Sequence, residues 1–326
     1  MIERFDAEAA YWQAMFGLGD VLSVIHQRRL HLALRLVDRA ALPEGSSVLE
    51  IGAGAGILAA ELARRGYEVK ATDPAPRMRA LIVASAAAAG VTSRVHVSAE
   101  DATRLSAPPA SVDLVVALGV LPWLADPTAA VAEMARVVRR GGAVLLSTVS
   151  RSPLPVLLDP LRHPSLGSLR DGLRAGLAAL RGRSFRPPDR PPSWLTPDEA
   201  DRLLCSVGLE LVEGVPFGYG PLTWLGRPAF DDRLGTRLEA ELQERLAVHQ
   251  RLARRIAAQY VVLATRPAAA DGQAAAAQAG ADHAAAAQAG ADHAADQAAV
   301  HAAVHAGAGQ VGGRALSLPE AAATPR

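Results

Sequence analysis

The sequence predicts an α/β fold: a doubly wound, mostly parallel sheet of seven strands with helices on both faces, plus a helical insert and an Ala-rich tail. Three observations carry that prediction. Short apolar runs alternate with helical periods from Ser47 to Thr148. A glycine-dense bend, "VLEIGAGAG" at Val48–Gly56, follows directly on the first run. The acids Glu50, Asp73 and Asp101 fall at the ends of successive runs. Strands buried on both faces read as short continuous apolar stretches, and parallel strands need crossovers. Right-handed crossovers then place the helices on both sides of the sheet.

Each element has a local reason. Asp20–Val37 reads as a helix with Asp20 as N-cap, and "AAYWQAMF" before it has the apolar spacing of a helix face. Ser47–Ile51 reads as a strand, Ile57–Arg65 as a helix, Glu68–Thr72 as a strand, Arg77–Ala89 as a helix and Arg94–Val97 as a strand. Asp113–Ala117 is the next strand, Pro127–Arg139 a helix and Ala143–Thr148 a strand. There the alternation stops. Arg151–Pro192 holds eight arginines and three aspartates with prolines at both ends, and reads as an inserted helical segment. Thr196 caps a helix in "TPDEADRLLCSVG", and Leu209–Val215 is a strand. Asp231–Arg255 reads as one long helix, from the spacing of Leu234, Leu238, Leu242 and Leu246, and Ala258–Pro267 is the last strand. The organisation is an N-terminal helical lid (1–45), a core around the glycine bend (46–150), the insert (151–195), the C-terminal part of the same domain (196–267) and the tail (268–326).

The tail carries "AAAAQAGADH" twice in tandem and has no Phe, Trp, Tyr, Leu or Ile before Leu316. Such a segment cannot bury enough apolar surface to offset its ordering entropy, so disorder is expected. Its His301 and His305 would share a helix face, but a pair without further ligands falls short of a metal site, and no metal is expected.

Bulk composition excludes several classes. The 326 residues carry 34 Lys+Arg against 33 Asp+Glu, so no basic field favours nucleic acid. The single cysteine, Cys205, can form no intrachain disulfide, which suits a reducing compartment. The start, "MIERFDAEAAYW", lacks the apolar core of a signal peptide, and no apolar run is long enough to span a bilayer. A cytoplasmic protein is expected.

Three chemistries compete for the glycine bend. A P-loop needs Lys and Ser/Thr after its last glycine, whereas Gly56 is followed by Ile57 and Leu58. A dinucleotide fingerprint needs G-x-G-x-x-G, whereas Gly52, Gly54 and Gly56 give G-x-G-x-G with Ile57 where the third glycine belongs. Asp73, 21 residues after Gly52, can accept hydrogen bonds from ribose hydroxyls of any adenosine ligand. Glu50 would repel a pyrophosphate and suits a ligand with a positive charge or an ammonium group. Taken singly, Asp73 could cap the next helix and Asp101 could be a turn residue; their joint placement at strand ends favours a ligand.

"VLEIGAGAG", "ATDPAPRM", "AEDATRL", "VDLVVALGVLPWLADP" and "EMARVVRRGG", in this order, resemble the motifs of class I methyltransferases that use S-adenosylmethionine, the small-molecule type 11-like members among them. The resemblance covers Phe5–Gly142 well and runs more loosely to Pro267. It implies the Rossmann-like methyltransferase fold and assigns roles. Glu50, Gly52, Ala53, Gly54 and Gly56 would form the loop under the methionine part of the cofactor. Asp73 would hold the ribose, and Asp101 and Ala102 would lie beside the adenine. Leu118 and Gly119 would line the methyl-transfer site, and Met78 serves equally as an adenine neighbour or as core. The family's Lys-Pro-Gly-Gly is here Arg139-Arg140-Gly141-Gly142, a structural turn.

Methyl transfer to a hydroxyl needs a proton acceptor, whereas transfer to a neutral amine does not. His26, in the helix before the sheet, is the candidate base; His31 and His163 are weaker ones. Tyr11, Trp12 and Trp123 either shape an acceptor pocket or simply pack. The Leu- and Arg-rich insert either covers the acceptor, with peripheral contact to a membrane surface, or packs on the domain. The expected activity is methyl transfer to an oxygen or nitrogen of a small-molecule, lipid-linked or glycan acceptor. A nicotinamide-dependent oxidoreductase and a cofactor-binding module without turnover are the alternatives. No Asn/Asp-Pro-Pro-aromatic clamp for a flipped base follows the fourth strand, so nucleic acid is not expected as a substrate. Oligomeric state is not legible.

Overall fold

The computed structural model describes residues 2–151, 153–163, 166, 172 and 194–268. The expected tail, its histidines and most of the insert lie outside the described residues.

Helices α1 (Ile2–Ala7), α2 (Ala9–Ala14) and α3 (Val21–Arg39) precede the sheet. Asp20 caps α3 as expected, its side chain accepting from the Ser23 N–H at 2.7 Å. There follow β1 (Ser47–Ile51), α4 (Ile57–Arg64), β2 (Glu68–Thr72), α5 (Pro76–Ala88), β3 (Val95–Ser98), β4 (Val112–Leu118), α6 (Pro127–Val137) and β5 (Val138–Val149). Beyond α7 (Leu154–Leu158) come α8 (Pro197–Ser206), β6 (Glu210–Phe217) and a small hairpin of β7 (Thr223–Trp224) and β8 (Arg227–Pro228). Then come α9 (Asp232–Ala247), α10 (Gln250–Ile256) and β9 (Gln259–Thr265).

Seven strands form one sheet in the order β3-β2-β1-β4-β5-β9-β6. β1 to β5 run parallel, and β9 is antiparallel to both its neighbours. Successive side chains of a strand point to opposite faces, and two cores result. Val48, Leu114, Val116, Leu145 and Leu263 meet Leu36, Leu58, Leu62 and Ile82 of α3, α4 and α5. Leu49, Val115, Leu146 and Val262 meet Val131, Met134 and Leu204 of α6 and α8. The apolar runs were continuous in sequence because both faces of each strand are covered.

Two expectations are corrected. The Arg139–Gly142 turn is part of β5, which begins at Val138 paired with Val112. An irregular register between Val112 and Leu114 absorbs the extra residues, and the Gly141 N–H donates to the Arg266 carbonyl at 2.7 Å. The long helix from Asp231 breaks at Val248–His249 into α9 and α10. Its leucine stripe is only partly buried: Leu234 is exposed, Leu238 and Leu242 are half-buried and Leu246 is buried, and Glu239 and Gln243 are buried alongside them. The two polar side chains turn inward to satisfy backbone donors. Glu239 Oε2 accepts from the Tyr219 and Gly220 N–H groups at 2.8 and 2.7 Å, and Gln243 Oε1 accepts from the Gly218 N–H at 3.3 Å. Among the described residues no helix is long and apolar enough to cross a membrane.

Candidate functional site

From β1 the chain runs outward through β2 to β3 and then crosses back to β4 on the other side of β1, so a crevice opens at the C-terminal ends of β1 and β4. The glycine bend lies there. The Ala53 N–H donates to the Thr72 carbonyl at 2.9 Å, and the Gly56 N–H to the Ala53 carbonyl at 2.9 Å. Gly52, Gly54 and Gly56 have φ of +65°, +56° and +75°. They are not equivalent. A Cβ on Gly52 would stand 2.6 Å from Val120 Cγ2, and one on Gly56 2.7 Å from Ile82 Cα. Around Gly54 a Cβ would meet nothing within 4 Å. The outer glycines let the chain pack, and Gly54 presents bare backbone to open space.

Glu50, on the sheet face shared with Val48, is buried, and its Oε2 has no hydrogen-bond partner among the described residues. Burial first, and the neighbouring Asp73 second, push its pKa from the ordinary 4.5 to about 8. The acid is therefore largely uncharged at neutral pH until something cationic comes beside it. Asp73 holds the bend from below, with Oδ2 accepting from the Gly54 N–H at 3.1 Å and Oδ1 from the Ala75 N–H at 2.9 Å. Burial raises its pKa, opposed by those two bonds. Asp73 thus serves the next helix as well as the glycine bend.

Asp101 is exposed at the end of the third strand and forms a local turn, its Oδ1 accepting from the Thr103 N–H and hydroxyl at 2.8 Å each. Ala102 beside it is buried. Leu118 ends β4, and the Gly119 N–H donates to Ser147 Oγ of β5 at 2.9 Å. Met78 is buried against Ala9 and Ala75 with Phe5 and Trp12, which is a core role.

The α3 side of the crevice holds charges that the motifs did not reveal. His26 is half-buried, and its Nδ1 lies 2.8 Å from the Leu22 carbonyl. Nδ1 therefore carries the proton, and Nε2 keeps its lone pair. Burial, and then the Arg29 cation, lower its pKa to about 4. The Trp12 ring packs edge-on, 6.0 Å from the His26 ring, and Phe5 meets Trp123 edge-on at 5.1 Å. Trp12 and Trp123 thus come to one side of the crevice, whereas Tyr11 and His31 are exposed. Arg29 was missed in the sequence, where it is one arginine of a helix with several. Its Nη1 stands 2.7 Å from where a Cβ of Gly119 would be, and it has no counter-ion among the described residues. Burial lowers its pKa to about 10. Glu100 was missed as well; it is held by the Lys70 ammonium and by the Ser106 hydroxyl at 2.6 Å, which fixes the loop before Asp101.

This arrangement has known counterparts. A family profile described as "Methyltransferase domain" matches residues 49–146, the stretch from β1 to β5. The chain is 34% identical over 152 residues to the ubiquinone biosynthesis O-methyltransferase of Sodalis glossinidius, covering 47% of this chain and 59% of that protein. To the protein of the same name from Xanthomonas oryzae pv. oryzae it is 32% identical over 157 residues, covering 47% and 62%. The chain thus spans about three fifths of the length of these curated relatives. In fold it is similar to the Haemonchus contortus phosphoethanolamine N-methyltransferase 2 solved with S-adenosyl-L-methionine, with a TM-score of 0.50 at 17% identity, covering 80% of this chain and 57% of that one. The sheet order, the glycine bend over its buried acid and the matched profile agree: residues 49–146 are a methyltransferase domain by profile, and the fold around them is similar to that of S-adenosylmethionine-dependent methyltransferases.

Proposed function

We propose that the protein transfers the methyl group of S-adenosylmethionine to an oxygen nucleophile of a small molecule. One observation carries this reading. The crevice holds a buried carboxyl without a hydrogen-bond partner for Glu50 Oε2, and the guanidinium of Arg29, which lacks a counter-ion among the described residues. An amino-acid zwitterion, such as the methionine end of the cofactor, offers an ammonium to the one and a carboxylate to the other. The open space over Gly54 suits a ligand that touches the backbone directly, and both Asp73 oxygens keep lone pairs for ribose hydroxyls.

When bound, the cofactor supplies a methyl group made electrophilic by its sulfonium. The residues of this chain orient and shield. Trp12, Phe5 and Trp123 exclude water on the lid side, and proximity carries much of the barrier. His26 Nε2 is the proposed acceptor for the hydroxyl proton of the substrate. With a pKa of about 4 it is a weak base, suited to take a proton that becomes acidic only as the O–C bond forms. The names of the curated relatives support an oxygen acceptor. Asp101, with one carboxylate oxygen outside its local turn, is proposed as the adenine contact.

Isothermal titration with S-adenosylhomocysteine tests the cofactor part, and tritiated-methyl transfer to a panel of phenols and catechols tests the acceptor part. Micromolar binding that Gly54→Asp abolishes, with label on oxygen, is expected. Quenching by NADH without any binding of S-adenosylhomocysteine would reject the reading.

A further inference from the structure

A second cavity, of about 180 Å³, lies where the start of α3, the loop after β6, the hairpin β7–β8 and α9 come together. Its walls are mostly apolar, with Val21, Leu222, Phe230 and Leu238 among them. Among the described residues its charged lining is acidic, Asp20, Asp232 and Glu239, with no lysine, arginine or histidine. Asp20 is engaged in capping α3, and Asp232 lies in the first turn of α9.

Glu239 is the informative member. Only 3% of it is exposed. Its Oε2 is used by the Tyr219 and Gly220 N–H groups, while Oε1 has no partner among the described residues. The fully buried Tyr219, which also lines the cavity, has a hydroxyl in the same condition. A buried carboxylate oxygen and a buried phenol without partners are costly unless a donor arrives. Glu239 is buried more completely than its stripe neighbours Leu238 and Leu242, which are half-buried. Arg28 lies near enough to act on Glu239 but does not line the cavity. Burial raises the pKa of the Glu239 carboxyl, so a cation beside it would draw it into the charged form.

We propose that this cavity binds the ammonium group of a small apolar amine, with Glu239 as its counter-ion and the leucine and phenylalanine walls around its hydrocarbon part. Leu22 both lines the cavity and gives its carbonyl to His26 Nδ1, so the amine site begins one helical turn from the proposed base. If methyl transfer is the activity, which rests on the reading above, the amine is the non-reacting end of the acceptor or a ligand adjoining it. The binding itself does not depend on that reading.

The test uses three probes of one shape, benzylamine, benzyl alcohol and benzoate, titrated calorimetrically into the full chain with and without S-adenosylhomocysteine. Benzylamine is expected to bind at least tenfold more tightly than benzyl alcohol, with no binding of benzoate. Glu239→Gln keeps an oxygen for the two backbone donors and removes the charge, and is expected to weaken benzylamine about tenfold while leaving S-adenosylhomocysteine binding unchanged. Should that variant not fold, Leu222→Trp on the outer loop takes its place, and is expected to abolish benzylamine binding while sparing S-adenosylhomocysteine. Equal binding of the three probes, a preference for benzoate, or amine affinity untouched by the variant that folds would each overturn the proposal. Loss of S-adenosylhomocysteine binding in the wild type would count against the methyltransferase reading alone.

Discussion

The guanidinium of Arg29 occupies the space above Gly119: its Nη1 lies 2.7 Å from the point where a side chain on that glycine would begin. Two elements far apart in sequence, α3 and the end of β4, thus share one volume. Gly119→Ala is expected to push the guanidinium aside, helped by the +71° φ that already disfavours a side chain there. Affinity for S-adenosylhomocysteine should fall about tenfold in Gly119→Ala and in Arg29→Met, and by little more in the double variant. A double-mutant cycle by calorimetry checks this, and full additivity would show that the two act separately.

Glu50 should couple cofactor binding to proton release. With a pKa of about 8 the carboxyl is mostly protonated at pH 7, and an ammonium beside it favours the carboxylate. Calorimetry in two buffers of different ionisation enthalpy should report release of up to one proton at pH 7, fading by pH 9 and absent in Glu50→Gln.

The same group governs stability without ligand. A carboxyl whose folded pKa lies above its unfolded one contributes stability that is fully present below about 4.5 and lost as pH rises through about 8. Glu50→Gln removes that loss. Its Tm should exceed the wild-type value at pH 9 by several degrees and match it near pH 4, while its cofactor affinity drops at pH 7. Thermal scans across pH decide the matter, and a variant less stable at pH 9 would contradict it.

Gly54 and Gly56 should separate binding from folding. Gly56→Ala drives a methyl into the Ile82 backbone, and we expect a loss of about 2–4 kcal/mol in stability. Gly54→Ala faces open space, so the cost to the fold is only that of a left-handed alanine, about 1–2 kcal/mol. Its loss should appear mainly as weaker S-adenosylhomocysteine binding. Chemical denaturation read beside calorimetry tells the two apart.

For His26, the acid limb of kcat/KM should lie near pH 4 rather than near 6.5, because burial and Arg29 oppose its protonation. His26→Ala should lower kcat by about 10²–10⁴-fold if Nε2 takes the proton. An unchanged kcat in that variant would remove His26 from the mechanism.

By itself the sequence determined the seven strands, most helices and the glycine bend with its acid, because these depend on local periodicity, caps and backbone freedom. Thr196 shows this: read from the sequence as an N-cap, it accepts from the Glu199 N–H, and the Glu199 side chain closes the cap reciprocally. Tertiary structure decided what depends on neighbours distant in the chain. It set the charge state of Glu50, which burial controls, and it lifted Arg29 out from among its helix's other arginines by placing it over Gly119. It also turned Glu239 inward beside the leucines of α9, because the backbone donors of Tyr219 and Gly220 needed an acceptor there. Solvation and long-range packing leave no local mark on a sequence, whereas periodicity and capping do.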